Sequence, residues 1–334
     1  MKTFWKVLFG ITALVIILTM VGGDLLTKQL RQLNLKNRPM ATWNTTDGEV
    51  IKELSYGESY RNTYDLYLPA NPQPKALMLF IHGGSWTHGE KEDMEWAAKR
   101  YAQEGYIAAS INYSRLKTDS IIRQEQIIVP SIESMLGEID LSIVAIKQKC
   151  HEMGCDLKQM AVGGYSAGGH LAMLYASRYA QTSAIPIKFH ISWVGPSDFN
   201  RLFPTPNTHQ PIGGPHAEAA EKFSTMIQAF IYAMSGKMPT SDELTAENFI
   251  SVKSCVSPVD VAHSHTSPAI LAYGGNDQLV NALHGEVMAQ KLSELGIDNR
   301  LIIFPNSGHG LEADPECSDS LKQAILDYCD KYFE

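Results

Sequence analysis

Cysteine is scarce in this chain, five in 334 residues and odd in number, so disulfides do not organise the fold. A basic run is missing as well. Lysine and arginine total 28 against 36 aspartates and glutamates, a net charge of −8. An acidic surface without a basic cluster argues against nucleic acid as the main partner. No internal repeat and no low-complexity run occurs. With 44% apolar and 19% charged residues, the composition excludes a disordered tail, a collagen-like fibre and a small disulfide scaffold. The length allows two domains, although α/β folds often run past 250 residues as one.

One long charge-free run is present, Val7 to Gly23 (VLFGITALVIILTMVGG), 17 residues preceded by Lys2 and Lys6. A basic head before an apolar stretch makes a secretion signal or a membrane anchor. The stretch exceeds the ~7–15 residues of a signal core and reaches the short end of the ~17–25 that span a bilayer. Val21 and Gly23 are small enough to precede cleavage at Asp24. Three readings stand: an uncleaved anchor, which we favour, a cleaved signal, and a buried helix. Lys28, Arg31, Lys36 and Arg38 follow the stretch, so the positive-inside count does not orient it. A short head before a long domain is the usual signal-anchor layout, and the large domain is expected outside the cytoplasm, membrane-anchored or secreted. There Cys150 and Cys155 are close enough in sequence to pair. Cys317 and Cys329 fall on what reads as one helix, ~18 Å apart along its axis, too far for a bridge. Buried free thiols throughout are the expectation.

Residues 24–49 read as a polar linker. VIKELSYG (50–57) and YRNTYDLYL (60–68) then alternate as paired antiparallel strands should. Short apolar runs follow: ALMLFIH (76–82), YIAASIN (106–112), MAVGG (160–164), IKFHISWV (187–194), PAILAYG (268–274) and RLIIF (300–304). Helical periodicity marks 91–104, 136–152, 166–180, 283–295 and 318–332. Apolar strands bounded by helices signal a parallel sheet covered on both faces, and right-handed crossovers make it doubly wound. Ligands bind beyond the carboxyl ends of such strands, so the loops there are where chemistry is sought. One segment, about 199–255, breaks the alternation. It holds Pro204, Pro206, Pro211 and Pro215, and a helix whose Phe223, Met226, Ile227, Phe230, Ile231 and Met234 form one apolar stripe. The stripe either packs on the main body or forms a helical lid over an acyl site.

The strongest motif is Gly164-Tyr165-Ser166-Ala167-Gly168, between the strand MAVGG and the helix AGGHLAMLYASRYA. A serine at a sharp strand-to-helix turn exposes its hydroxyl at the sheet's carboxyl edge, and flanking glycines leave room for the strained backbone. A helix N-terminus there favours a developing oxyanion. The bland alternative is a simple glycine-rich turn. Serine needs a neighbouring base, and the base needs a group that fixes its tautomer. Among eleven histidines, His309 in Asn306-Ser307-Gly308-His309-Gly310 stands after the last strand, on the active edge. His170 lies inside a helix and His190 in mid-strand. His263 and His265 form an H-x-H without a completing ligand, so no metal site is expected. His151, His209, His216 and His284 read as surface residues. Asp277, directly after PAILAYG, is the orienting acid, with Asp198 as runner-up; Asp260 and Glu312 also compete. The order Ser166, Asp277, His309 is that of α/β-hydrolases rather than of the chymotrypsin or subtilisin folds. His82-Gly83-Gly84-Ser85-Trp86 follows the strand ALMLFIH and offers backbone N–H groups to an oxyanion, with Ala167 completing the set. His82 is expected to hydrogen-bond within its turn.

HGGSW, GYSAGGH, GGND and SGHG, in that order, resemble the α/β-hydrolase superfamily, in its esterase/lipase branch with an HGG oxyanion motif, including enzymes similar to bacterial acetyl-xylan and feruloyl esterases. The resemblance covers about residues 50–334. It implies an eight-stranded, mostly parallel sheet whose first pair is antiparallel. It implies Ser166 as nucleophile, His309 as base, Asp277 as orienting acid, and oxyanion donors at Gly83, Gly84 and Ala167. Ser85 departs from the pattern, standing where a lipase-like HGGG has its third glycine.

The expected function is a serine carboxylic-ester hydrolase needing no metal or organic cofactor. Its substrate is expected to be a short-chain acyl ester, small or carbohydrate-linked, and its membrane contact would run through the N-terminal segment. The alternatives are a serine peptidase resembling the prolyl-oligopeptidase type and a scaffold that kept the fold without activity.

Overall fold

The structure, a computed structural model, describes residues 42–71, 76–116, 130–203, 228, 231–236 and 246–334. The apolar segment 7–23 and the linker up to residue 41 lie outside the described residues. Among the described residues no helix is long and apolar enough to cross a membrane. Within the linker expected over 24–49, Trp43 already packs edge-on against Tyr67, 6.2 Å between ring centroids.

Eight strands form one sheet: β1 (Gly48–Ser55), β2 (Thr63–Pro69), β3 (Ala76–Ile81), β4 (Ile107–Ile111), β5 (Gln159–Tyr165), β6 (Ile187–Trp193), β7 (Ala269–Gly274) and β8 (Asn299–Phe304), in the order β1-β2-β4-β3-β5-β6-β7-β8. β1 pairs antiparallel with β2, and β2 antiparallel with β4; every other pairing is parallel. This is the mostly parallel α/β-hydrolase sheet that the motifs imply.

The reason lies in the period of two along each strand. In β3, Leu77, Leu79 and Ile81 enter one core, while Ala76, Met78 and Phe80 enter the other. Every β3 residue is therefore buried, which is why the run is apolar without alternation. Edge strand β1 alternates with exposed positions instead. The first core is closed by α2 (Ile132–Glu152), through Ile132, Met135, Leu136, Ile139, Ile143 and Ile146, and by α3 (Ala167–Arg178). The second is closed by α1 (Glu95–Gln103) and α6 (Pro315–Tyr332). A third cluster joins β7 to α5 (Leu283–Glu294) through Leu271, Tyr273, Met288 and Leu292. Each fully buried side chain of this size contributes roughly 1.5–3 kcal/mol.

α2 begins four residues earlier than its periodicity predicts, because Ser131 caps it. Ser131 Oγ accepts from Ser134 N at 3.2 Å, and Ser134 Oγ accepts from Ser131 N at 2.8 Å, a reciprocal cap. Of the irregular 199–255 segment, the described parts include the turn Phe199–Leu202, a helical turn over 231–235 and α4 (Ala246–Cys255). Ile231 and Met234 of the apolar stripe are buried in the first core beside Phe199, Phe249 and Val252. At these positions the stripe packs on the main body; Phe223, Met226, Ile227 and Phe230 lie outside the described residues. All five cysteines are free, but they are not buried throughout: Cys150 and Cys329 are buried, Cys155 and Cys317 half-buried, and Cys255 exposed on the last turn of α4. Cys150 is buried in α2, and burial pushes its thiol up to about 12.

Histidine placement needs one correction. His284, read as a surface residue, is 2% exposed. It lies in the first turn of α5, against the segment that follows β6. Its Nδ1 accepts from Ser197 N at 3.2 Å and from Asp198 N at 3.3 Å. His151 is exposed beside Asp156, and His190 is buried in β6, its Nδ1 3.0 Å from Ser267 Oγ.

Burial depresses the pKa of His170 to about 3 and those of His190 and His284 to about 4. In the unfolded chain such rings titrate near about 6.5, so below that pH the unfolded chain takes up protons that the folded one refuses. Stability from these sites is complete above about pH 6.5 and declines as pH falls toward 4. Each is expected to remove roughly 1 kcal/mol per pH unit in that window. Thermal unfolding followed from pH 8 to pH 4 checks this. His190→Leu should flatten the acid limb by about a third if the three rings share it equally; an unchanged slope would contradict the assignment.

Candidate active site

Ser166 stands alone between β5 and α3 with φ 52° and ψ −116°, a left-handed backbone that costs a non-glycine residue ~1–3 kcal/mol. Hydrogen bonds hold it there. Ser166 N donates to Trp193 O at 2.8 Å, and its carbonyl accepts from His170 N at 3.0 Å. The two flanking glycines are needed for close approach. A Cβ on Gly164 would lie 2.2 Å from Gly168 O, and one on Gly168 2.1 Å from Ile81 O. Strand and helix meet so tightly that the serine is forced outward at the carboxyl edge.

His309 arrives from the loop after β8. Its Nε2 lies 3.0 Å from Ser166 Oγ, and its Nδ1–H donates to Asp277 Oδ2 at 2.7 Å. A carboxylate can only accept here, so the ring presents its Nε2 lone pair to the serine hydroxyl. Asp277, in the loop after β7, is itself fixed: Oδ1 accepts from Leu279 N at 2.8 Å and Val280 N at 3.0 Å. Its side chain is fully buried, while that of His309 remains one-fifth exposed. The two loops touch where a Cβ on Gly274 would lie 2.3 Å from Gly308 O.

The histidine loop has a second anchor that sequence reading missed. Asp314 accepts from Ser307 Oγ at 2.5 Å, from Asn306 Nδ2 at 2.8 Å and from Asn306 N at 3.1 Å. Burial works against ionisation of Asp314, yet these donors hold its carboxyl below the usual range. Tyr165 O–H donates to the His309 carbonyl from the end of β5. The only local signal for this latch is an Asn-Ser pair with an aspartate seven and eight positions on, a spacing many loops share.

The HGGSW loop passes against the serine. A Cβ on Gly83 would lie 3.2 Å from Ser166 Cβ and 2.7 Å from Tyr165 O. Gly84 has φ +109°, and the left-handed run continues through Ser85 (φ 52°) and Trp86 (φ 61°). Ser85 thus carries strain where a third glycine would carry none. Among the described residues no acceptor takes the amide hydrogens of Gly83, Gly84 or Ala167. Ala167 is the first residue of α3, at the positive end of its dipole. Beneath the loop lies a second missed residue, Arg61, 4% exposed. It reaches Tyr113 O at 2.8 Å, Glu90 Oε2 at 2.8 Å, Gly89 O at 3.1 Å and Asn112 Oδ1 at 3.1 Å. His82 stacks on Tyr113, 4.2 Å between centroids, with Nδ1 2.8 Å from Gly83 O.

Two of the competing candidates, Asp198 and His263, are engaged elsewhere. Asp198 caps the turn that follows it, Oδ1 accepting from Asn200 N at 2.8 Å, and it pairs with Arg201 at 3.1 Å. His263 Nε2 lies 3.0 Å from Ser177 O, and its Nδ1 accepts from His265 N at 3.1 Å. Among the described residues no group of three or more histidines, cysteines or carboxylates could hold a metal ion.

The BD-FAE family profile matches residues 64–292. Over 125 residues the chain is 29% identical to a probable isoprenylcysteine alpha-carbonyl methylesterase of Oryza sativa subsp. japonica, covering 37% of this chain and 28% of that protein. Over 133 residues it is 27% identical to kynurenine formamidase of Danio rerio, covering 39% of each. The chain therefore matches well under half the length of these two relatives. Esterase B of Lactobacillus rhamnosis shares the fold at a TM-score of 0.67 and 16% identity, covering 95% of both chains. A bacterial heroin esterase does so at 0.64 and 18%, covering 92% of this chain and 91% of that one.

Gly168→Ala should be among the most damaging single changes in the protein. A methyl group 2.1 Å from Ile81 O must part α3 from β3, at a cost on the order of 4 kcal/mol or more. Thermal unfolding of the purified variant checks this, and a melting temperature equal to the parent's would show that the turn can relax.

Proposed function

The chain belongs to the BD-FAE family, and from that membership we propose that it is a serine carboxylic-ester hydrolase working through an acyl-enzyme. The observation that carries the proposal is the unbroken line from Ser166 Oγ through His309 to Asp277, at 3.0 and 2.7 Å.

In this mechanism Ser166 Oγ attacks the ester carbonyl while His309 Nε2 takes its proton. Asp277 holds the ring in the correct tautomer and stabilises the imidazolium that forms. The carbonyl oxygen becomes an oxyanion facing the N–H groups of Gly83, Gly84 and Ala167. Each such donor contributes ~2.7–4 kcal/mol to the transition state. His309 then gives its proton to the departing alcohol. In the second half it takes a proton from the water that attacks the acyl-enzyme, and returns that proton to Ser166 Oγ as the acyl–Oγ bond breaks, releasing the acid and the free serine. The chemistry needs no metal and no organic cofactor.

We extend the proposal to short-chain acyl esters. A methylesterase and a formamidase stand among the relatives. Esterase B of Lactobacillus rhamnosis, which shares the fold, has been captured with a tributyrin phosphonate. None of the relatives named above is a peptidase by name, so the peptidase alternative is not favoured. We further propose that residues 7–23 (VLFGITALVIILTMVGG) carry the domain to or across a membrane; recovery of the full chain in the soluble cytosolic fraction of its own cell would refute that.

A nitrophenyl ester series from acetate to octanoate, run beside fluorophosphonate labelling, tests the central claim. The acetate and butyrate esters should be cleaved fastest. Ser166→Ala should take no label and lose at least ~10³-fold in kcat. Asp277→Asn should lose on the order of 10⁴-fold while remaining folded. A folded parent chain that takes no label and cleaves no ester would sink the proposal.

A further inference from the structure

Two residues of the motifs have no part in the proton relay: Trp86 of HGGSW and His170 of GYSAGGH. Both are buried, at 3% and 0% exposure, and they meet. The Trp86 indole N–H donates to His170 Nδ1 at 3.2 Å, with the rings edge to face at 5.1 Å. On its far side, His170 Nε2–H donates to the Val256 carbonyl at 2.7 Å. An indole N–H can only donate and a carbonyl can only accept. Both neighbours therefore select one form of the ring, neutral, with its hydrogen on Nε2 and its lone pair on Nδ1. Protonation would set one N–H against another. Phe199 closes the pocket, with its ring 4.9 Å from His170 and 5.7 Å from Trp86.

Three separate stretches of chain converge on this imidazole. Trp86 stands two residues beyond Gly84, in the loop whose backbone faces the serine. His170 stands four residues beyond Ser166, and its own N–H donates to the Ser166 carbonyl. Val256 directly follows α4, where the chain returns to the core. The loop backbone at Ser85 and Trp86 is left-handed, and such a conformation persists only where its surroundings over-determine it. The indole–imidazole bond ties this strained loop to the helix that carries the nucleophile.

We propose that His170 is a positioning residue: by accepting the Trp86 N–H and donating to Val256 O, it fixes the Gly83 and Gly84 amides relative to Ser166. Its kinetic consequence rests on the ester-hydrolase reading; the bond itself does not. Those amides meet full charge only in the transition state, so loosening them lowers kcat and leaves KM nearly unchanged.

The test compares His170→Leu, Trp86→Phe, the double variant and His170→Gln. Two readouts are used: hydrolysis of nitrophenyl acetate, and hydrogen exchange of the Trp86 indole N–H by NMR, assigned from Trp86→Phe. Each of the first two single variants should lose about tenfold in kcat, less than the 10²–10³-fold cost of a whole missing donor. KM should stay within about twofold. The double variant should be no slower than the slower single one, because both changes break the same bond. His170→Gln can accept with its amide oxygen and donate with its nitrogen, and should recover most of the rate. The indole N–H should exchange slowly in the parent and in His170→Gln, and fast in His170→Leu. Additive losses, a loss confined to KM, an unchanged kcat in Trp86→Phe, or no recovery in His170→Gln would overturn the proposal. If His170→Leu does not fold, Trp86→Phe and His170→Gln decide by kcat. If the parent cleaves no ester, the ester-hydrolase reading fails by itself, and indole exchange still decides: equal protection in His170→Leu and the parent overturns the tie.

Discussion

One imidazole must be reached from two directions at once, and the architecture around the site serves that demand. Asp277 stands at the end of β7 and Ser166 at the end of β5, with β6 between them. Strands are ~4.8 Å apart, so the two side chains belong to positions about 10 Å apart across the sheet. The loop after β8 has to arch back over β7 to place His309 between them. It does so by pressing Gly308 onto Gly274, by the Asp314 latch on Asn306 and Ser307, and by the bond from Tyr165. Without those restraints the ring would touch one partner and miss the other.

The same edge of the sheet concentrates backbone strain. Six described non-glycine residues have positive φ, and five of them, Ser85, Trp86, Ser166, Val194 and Leu311, lie in loops following β3, β5, β6 and β8. The sixth, Glu53, sits at the bulge in β1. Strain of this kind persists where the surrounding packing fixes the chain, and here two cores of fully buried strand residues supply that packing. The stable body and the strained rim divide the work: the first fixes strand positions, and the second aims hydroxyl, amides and imidazole at one point. Such a scaffold specifies the reaction more closely than the substrate, because substrate choice lies in the loops that surround this point rather than in the sheet.

Most of the candidate site was legible because each of its residues sits next to a structural signal of its own. An apolar run followed by glycine marks a strand end, and Ser166, Asp277, His309 and the Gly83–Gly84 pair all stand within a few residues of one. Helix boundaries were less legible. Ser131 extended α2 through a cap made by two serines, and nothing in an apolar periodicity counts serines. Arg61 and His284 escaped for a related reason. The side-chain partners of Arg61 come from residues 82–113, and those of the His284 ring from 197 and 198, so neither carries a local mark of burial.

From the sequence alone came the alternation of strands and helices, the two-sided burial of the sheet, and the identity of the residues fit for nucleophilic chemistry, since each depends on neighbours along the chain. Only the tertiary structure decided which of those residues meet. Ser166 and His309 are 143 positions apart, and Asp277 and His309 are 32. The same holds for the indole–imidazole bond, which spans 84 positions. A hydrogen bond is set by distance and angle to within fractions of an ångström. No periodicity or motif carries that precision; it comes from the packing of glycine against carbonyl and of helix against strand.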